Sequence, residues 1–424
     1  MTLAGDKGAE GPSVIEAKAV AARPPESALS WSAFLSTYLP ALIYALGAGI
    51  ALPAVPTLAK SFDVGFGVAS GVVTAFLLGN LAGTIPSGWL IDRFGRRSVM
   101  IAGPLLTSAT AFWVWNASSF SEVLVLRFFS GCAAQMWVMG RLAGISQNAP
   151  DSQRGRLVSW MFGMDNTGKL AGPVLGGYIA SEWDATAPFL AYSVIALVAL
   201  AMTLAFGEKP RRPDPGARSR KQTSESKMTI RQIVLPRLVY FGVALFAGLT
   251  RGPVTADLLH LYAAYAYHLG PAEIGYLATG AALIAWPIGF IAGWILDRFG
   301  RKRTMVPGFT GVSISMGLLA ASAYWDYSYP WYVGLFFLAV ATQSLTGGSV
   351  QTVGADVAPK EARGFFLGMW RFTGQGGQAI GPIVFALLAA QINYTTAFLF
   401  TAGCAACVAT LLIFLVPETR SDRG

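Results

Sequence analysis

Five stretches of this chain, 68–91, 98–117, 188–206, 305–325 and 397–416, run for about twenty residues without an acidic or basic side chain. A helix of about twenty residues crosses a hydrocarbon core of about 30 Å. Inside lipid a chain must satisfy its own backbone hydrogen bonds, so runs of this length and character dictate a bundle of membrane-spanning helices. Composition agrees: 54% of residues are hydrophobic and 12% charged, against roughly a quarter charged in an ordinary soluble protein. The 48 glycines suit helices that must approach closely with no hydrophobic drive between them.

Extending the same reading over the whole chain places twelve spans near 31–55, 68–91, 98–117, 121–147, 157–180, 187–206, 238–265, 272–295, 304–325, 330–354, 365–390 and 395–416. The fold class expected is therefore an all-α membrane protein. Its parts are a tail over 1–30, six helices over 31–207, a linker over 208–237, six helices over 238–416 and a second tail over 417–424. The first thirty residues mix charge, proline and alanine with no apolar core, so the first span is expected to act as its own insertion signal.

The net charge of +9 is unevenly spread. The loops after spans 2, 4, 6, 8 and 10 carry twenty Lys and Arg, nine of them in the linker, whereas the loops after odd-numbered spans carry only Lys60. That alternation places both termini and the linker in the cytoplasm, in a cell inner or plasma membrane. It is a topological signature and not a surface for nucleic acid. The three cysteines, Cys132, Cys404 and Cys407, lie in apolar runs and frame neither disulfides nor a zinc site. His260 and His268 have no metal-ligand companions at binding spacing, no phosphate-cradling glycine loop occurs and no catalytic nucleophile stands out. No metal, no cofactor and no enzymatic activity are expected.

The two halves repeat one another. Gly88-Trp-Leu-Ile-Asp92-Arg93-Phe94-Gly95-Arg96-Arg97 returns 205 residues later as Gly293-Trp-Ile-Leu-Asp297-Arg298-Phe299-Gly300-Arg301-Lys302. Pro150-x-x-x-Arg154-Gly155 returns as Pro359-x-x-x-Arg363-Gly364, and Gly168-x-x-x-Gly172-Pro173 as Gly377-x-x-x-Gly381-Pro382, both at an offset of 209. Three motifs in one order at nearly one offset describe two related, pseudo-symmetric six-helix halves, one of the recurring transporter plans.

On these residues the whole chain resembles the major facilitator superfamily. The resemblance implies a monomeric secondary transporter that works by alternating access with a small-molecule substrate and protons. It also implies that Asp92 of span 2 meets the start of span 11, and Asp297 that of span 5, as gating latches among Gly88, Arg93, Gly95, Arg96, Arg97, Gly293, Arg298, Gly300, Arg301 and Lys302. The basic residues there serve equally as topogenic charges. The span 5 element Gly168-x-x-x-Gly172-Pro173-x-x-Gly176-Gly177 resembles the pattern of proton-coupled drug exporters; its physical content is close helix packing, which Gly377, Gly381 and Pro382 share.

Charges within a membrane are costly and are candidates for function. Arg127, Arg141, Lys169, Arg251 and Arg371 stand against Asp165 and Asp257, a surplus of three positive charges. Asp165 and Lys169 are spaced to pair along one helix, with Arg141 near, either as a proton-coupling site or as a buried ion cluster. Gly252-Pro253 is expected to break span 7 beside Arg251. Arg127 and Arg251 are candidates to grip a substrate anion, with Gln135 and Gln343 as neutral partners; pairing with Glu122 or Asp257 is the alternative for the arginines. Thr342 and Ser344 offer further hydrogen bonds, whereas ordinary packing is the expected role of Tyr38 and Tyr44. The functions weighed are a proton-coupled transporter of an organic anion, a broad-specificity drug/proton antiporter, and a receptor or scaffold that no longer moves solute.

Overall fold

The computed structural model describes residues 38–148, 151–206, 230–255, 257–359 and 362–417. The two tails, most of the linker and some side chains within helices, that of Asp297 among them, lie outside the described residues.

Among the described residues the helices follow one another as twelve rods. Span 1 is Leu39–Ala51 continued by Ala54–Ser61, span 2 Phe66–Ala69 with Gly71–Phe94, span 3 Arg96–Trp115, span 4 Phe120–Asn148, span 5 Asp151–Glu182 and span 6 Ala187–Phe206. After a short helix Ile230–Val234, span 7 is Leu238–Thr255 with Leu258–Ala266, span 8 Pro271–Phe299, span 9 Lys302–Tyr324, span 10 Tyr329–Leu345 with Ser349–Val357, span 11 Arg363–Gln391 and span 12 Tyr394–Phe414.

Ten of these are long and apolar enough to cross a membrane. The other two, spans 5 and 11, are longer than most at 32 and 29 residues. Their middles are polar, with Asp165, Asn166, Thr167 and Lys169 in one and Arg371, Thr373, Gln375 and Gln378 in the other. They occupy equivalent places in the repeat and are screened by neighbours, span 5 by spans 1 and 8, span 11 by spans 7, 12 and 2.

Packing reproduces the sequence repeat. Spans 1 and 5, 2 and 4, and 3 and 6 pack in the first half as spans 7 and 11, 8 and 10, and 9 and 12 pack in the second. Glycine permits the closest crossings: a Cβ at Gly79 or Gly131 would strike the Phe128 or Phe76 carbonyl across the contact of spans 2 and 4. Gly168, Gly172 and Gly176 face span 1 through Leu42, Gly49 and Ile50, and Gly377 and Gly381 face span 7 through Leu245 and Leu249.

The sequence suggested a break at Gly252-Pro253, but the first helix of span 7 runs through that pair to Thr255, and the second begins at Leu258. Pro253 stays within the helix, and Gly252 is pressed against the Gln378 carbonyl and the Pro382 ring of span 11, which hold that turn in place. Asp257, left-handed at φ 57°, stands at the N-cap of the second helix. Gly348, at φ +78°, divides span 10 in a similar way.

The halves meet on the side away from the basic loops. Phe66 of span 2 packs on Tyr265, Phe385 and Tyr394 of the second half at ring distances of 6.0, 6.4 and 5.0 Å. Gly177 of span 5 lies 2.6 Å, by its would-be Cβ, from the Pro271 carbonyl that opens span 8. Lys60 Nζ donates to the Ala264 carbonyl at 2.6 Å, and Tyr265 Oη to the Val64 carbonyl at 2.7 Å. The basic side is described in part. A Cβ at Gly88, Gly163, Gly289, Gly293 or Gly368 would meet nothing within 4 Å, and the core around Phe241, Phe366 and Trp370 belongs to the second half alone. Among the described residues, these contacts between the halves all lie on the face away from the basic loops.

Candidate functional site

Two helices in each half bring charge to the interior. Arg141 of span 4 grips Asp165 of span 5 in two parallel hydrogen bonds, Nη1 to Oδ1 at 2.8 Å and Nη2 to Oδ2 at 2.7 Å. Their side chains are 1% and 14% exposed, and the Arg141 guanidinium lies 5.4 Å from the Trp137 ring. The pairing of Asp165 with Lys169 does not form. A planar fork matches both carboxylate oxygens as an ammonium cannot, and Lys169 is instead exposed, without a hydrogen bond or ion pair among the described residues. Arg371 of span 11, half-buried, is likewise outside the cluster.

Arg251, in the body of span 7, is exposed at the protein surface. Asn166, Thr167 and Lys169 of span 5 share that accessibility at mid-helix. Charged heads at this depth are costly where they face lipid, which marks these side chains as candidates to line an aqueous path. Among the described residues nothing pairs with the Arg251 guanidinium.

Arg127 is 9% exposed, stacks 4.7 Å over the Phe76 ring and leaves its Nε without a partner. Among the described residues Arg127 forms no ion pair with Asp257 of span 7. Glu122 is turned away to accept from the Ser118 backbone N–H at 3.1 Å. Gln135 is buried with its Nε2 unpartnered, and Gln343 donates to Thr346 Oγ1 at 2.7 Å while its Oε1 has no donor. Buried polar atoms left without partners are expensive, which makes them points where water or a ligand would bind. Thr342 and Ser344 are spent on backbone carbonyls of their own helix, and Tyr44 on Thr107 Oγ1 at 2.6 Å.

The repeated loop motif adopts one geometry twice. Gly95 and Gly300 turn the chain at φ +82° and +95°, values that only glycine reaches without strain. Arg93 lies 5.5 Å from the Trp89 ring, and Arg298 5.4 Å from that of Trp294. Arg301 Nε donates to Asp356 Oδ2 of span 10 at 3.0 Å, and Lys302 Nζ to the Ile413 carbonyl of span 12 at 3.3 Å. The Arg96 guanidinium occupies the place a Cβ on Gly144 of span 4 would take. These basic side chains tie each loop to its own half; Asp92 is exposed, and a Cβ at Gly88 or Gly293 would meet nothing within 4 Å.

A bundle of this pairing matches one family profile. The Major Facilitator Superfamily profile covers residues 37–261 and 241–424. The chain belongs to the Major Facilitator Superfamily. It is thus a multi-pass membrane transporter. Within the superfamily it is similar to the tetracycline resistance protein, class B, of Escherichia coli, 24% identical over 357 residues, 82% of this chain and 86% of that protein. It is also similar to the quinolone resistance protein NorA of Staphylococcus aureus, 23% identical over 243 residues. That match spans 56% of this chain and only 60% of NorA's length. Among solved structures, a D-xylose-proton symporter superposes with a TM-score of 0.74 at 18% identity, covering 92% of this chain and 98% of the other. A POT family transporter in complex with 5-aminolevulinic acid gives 0.75 at 14% identity, covering 94% and 99%. At such identities the likeness establishes the fold.

Of four residues the structure brings forward, two carried weak signals in the sequence. Lys60 was the one basic residue in the loops on its face, and Asp257 followed a Gly-Pro pair, but Tyr265 and His260 offered nothing to distinguish them from packing residues.

Proposed function

We propose that this transporter carries small organic anions together with protons, with the basic loops, both termini and the linker in the cytoplasm. The structure then represents the inward-open state, and the segments 31–207 and 238–416 are the units that rock about the cavity. Arg251 carries this reading: it is an accessible guanidinium in a membrane interior, with no counter-ion among the described residues. Lys169 and Arg371 add to its field, and Asp165 subtracts nothing from it, since Arg141 already neutralises that carboxylate. A cavity so charged attracts carboxylates, phosphates and sulfonates and repels cations.

A second reading, export of drugs in exchange for protons, is favoured by the names of the sequence relatives, which confer resistance to tetracycline and quinolones. Proteoliposomes separate the two. The first reading expects saturable movement of naphthalenesulfonate, an aromatic anion that stays ionised at all working pH. Export of ethidium or another lipophilic cation, with no movement of the sulfonate, would select the second.

A further inference from the structure

The second half carries a groove on its lipid-facing wall, at the basic end, that belongs to no part of the site above. It is an open hollow of about 350 Å³ between spans 9 and 12, lined by Lys302, Arg303, Val306, Pro307 and Ile413. Its mouth is cationic and its floor apolar. Lys302 Nζ reaches across to the Ile413 carbonyl in the last turn of span 12, at 3.3 Å. The exposed Arg303 guanidinium lies 5.8 Å from the Phe299 ring and forms no ion pair with a described carboxylate.

The groove continues into the membrane. Exposed positions recur on span 9 at Arg303, Pro307, Thr310 and Ile314, and on span 12 at Ile413, Thr410, Cys407 and Gly403, so each helix presents one stripe to lipid. The Ser313 hydroxyl donates to the Ala402 carbonyl at 3.0 Å, which keeps the two helices together farther along. Past Ile413 the span 12 stripe is made of small residues, and a Cβ at Gly403 would meet nothing within 4 Å. A shallow trough therefore leads from the two cations toward the membrane centre. Its depth is set by Trp294, 55% exposed and 5.6 Å from the Phe299 ring, because exposed tryptophan marks the headgroup level of a bilayer.

We propose that this groove binds one anionic phospholipid from the leaflet beside the basic loops, with its phosphate on Lys302 and Arg303 and an acyl chain along the trough. Basic pockets between membrane helices at this level recognise lipid headgroups, and a guanidinium meets a phosphate through two parallel hydrogen bonds. The chain's own repeat supplies a contrast. Arg97 of the first half corresponds to Lys302, but Ser98 corresponds to Arg303, and its hydroxyl is spent on the Gly95 carbonyl at 2.7 Å. The second cation is thus particular to the second half. A second copy of the chain is the poorer occupant, because a two-fold contact between copies side by side in one membrane would bring Lys302 and Arg303 against their own counterparts. Lipid binding there is independent of which solute is carried.

Native mass spectrometry of the full-length protein in detergent, with phosphatidylglycerol or phosphatidylcholine added, provides the test. The wild type should retain one phosphatidylglycerol at concentrations where phosphatidylcholine is lost. Arg303→Gln should weaken that adduct about fivefold, the share of one basic residue at a membrane surface. Arg97→Gln, which removes a basic residue from the same end of the first half, should leave it unchanged. Ile413→Trp fills the groove while keeping both charges and should also displace the lipid. Arg303 and Ile413 are exposed, so both variants should melt as the wild type does. Equal weakening by Arg97→Gln, or full retention in Ile413→Trp, would reduce the binding to a general attraction between basic loops and anionic lipid and overturn the site. Paired chains without lipid, separated by Ile413→Trp, would give the groove to a second copy and overturn it as well. If Ile413→Trp does not fold, Cys407→Phe, farther along the trough, is read in the same way.

Discussion

The seal opposite the basic loops rests on two hydrogen bonds that cross between the halves in opposite directions. Lys60 of the first half donates to the Ala264 carbonyl at 2.6 Å, and Tyr265 of the second donates to the Val64 carbonyl at 2.7 Å. The ammonium also lies 5.7 Å from the Tyr265 ring. A neutral hydrogen bond contributes about 1 kcal/mol net. One from a charged donor contributes more when buried, but Lys60 is half-exposed and solvent holds it to about 1 kcal/mol as well. Both bonds are lost when this face opens, so Lys60→Met combined with Tyr265→Phe should shift the equilibrium toward the other state by about 2 kcal/mol, roughly thirtyfold. Spin labels at 182 and 324, exposed helix ends in the two halves on this face, report the change as a distance. Cys132, Cys404 and Cys407, all unpaired thiols, must first be replaced. The double variant should gain a longer-distance population at the expense of the short one. Identical distance distributions in correctly folded protein would refute the clasp.

Arg141→Ala and Asp165→Ala should each lower stability by about 3–5 kcal/mol, because each strands a buried charge. Arg141→Met with Asp165→Leu should recover most of the loss, as seen by thermal unfolding in detergent. Gly131→Ala should be strongly destabilising, since its methyl would strike the Phe76 carbonyl of span 2. Gly88→Ala and Gly293→Ala, which meet nothing within 4 Å here, should melt normally yet slow transport, because those helix faces close only in the other state. Arg251→Lys should keep the charge but weaken naphthalenesulfonate binding about tenfold with unchanged melting, through loss of the guanidinium fork; unchanged affinity would remove Arg251 from the site.

What was legible in the sequence was either local or duplicated. Spans appear as apolar runs, and the repeat appears as motifs at one offset, so helix number and halves needed no knowledge of tertiary contact. Spans 5 and 11 were placed by their glycine-proline motifs, although their polar middles leave them too hydrophilic for a composition test. Partner choice was not legible. Spacing along one helix made Lys169 the natural partner of Asp165, but Arg141 on the facing helix wins because helix rotation, which no spacing records, points its fork at the carboxylate. The Lys60 clasp joins residues 204 positions apart. The break of span 7 falls a turn beyond Pro253 because span 11 supports the proline turn from outside.

The most direct test of proton-linked anion transport is the flux of naphthalenesulfonate into proteoliposomes under an imposed pH gradient, with acid outside and the membrane potential clamped. Accumulation in the alkaline lumen, accompanied by proton entry, is the predicted result. Sulfonate movement no faster than in protein-free liposomes, or expulsion of ethidium driven by the same gradient, would contradict it.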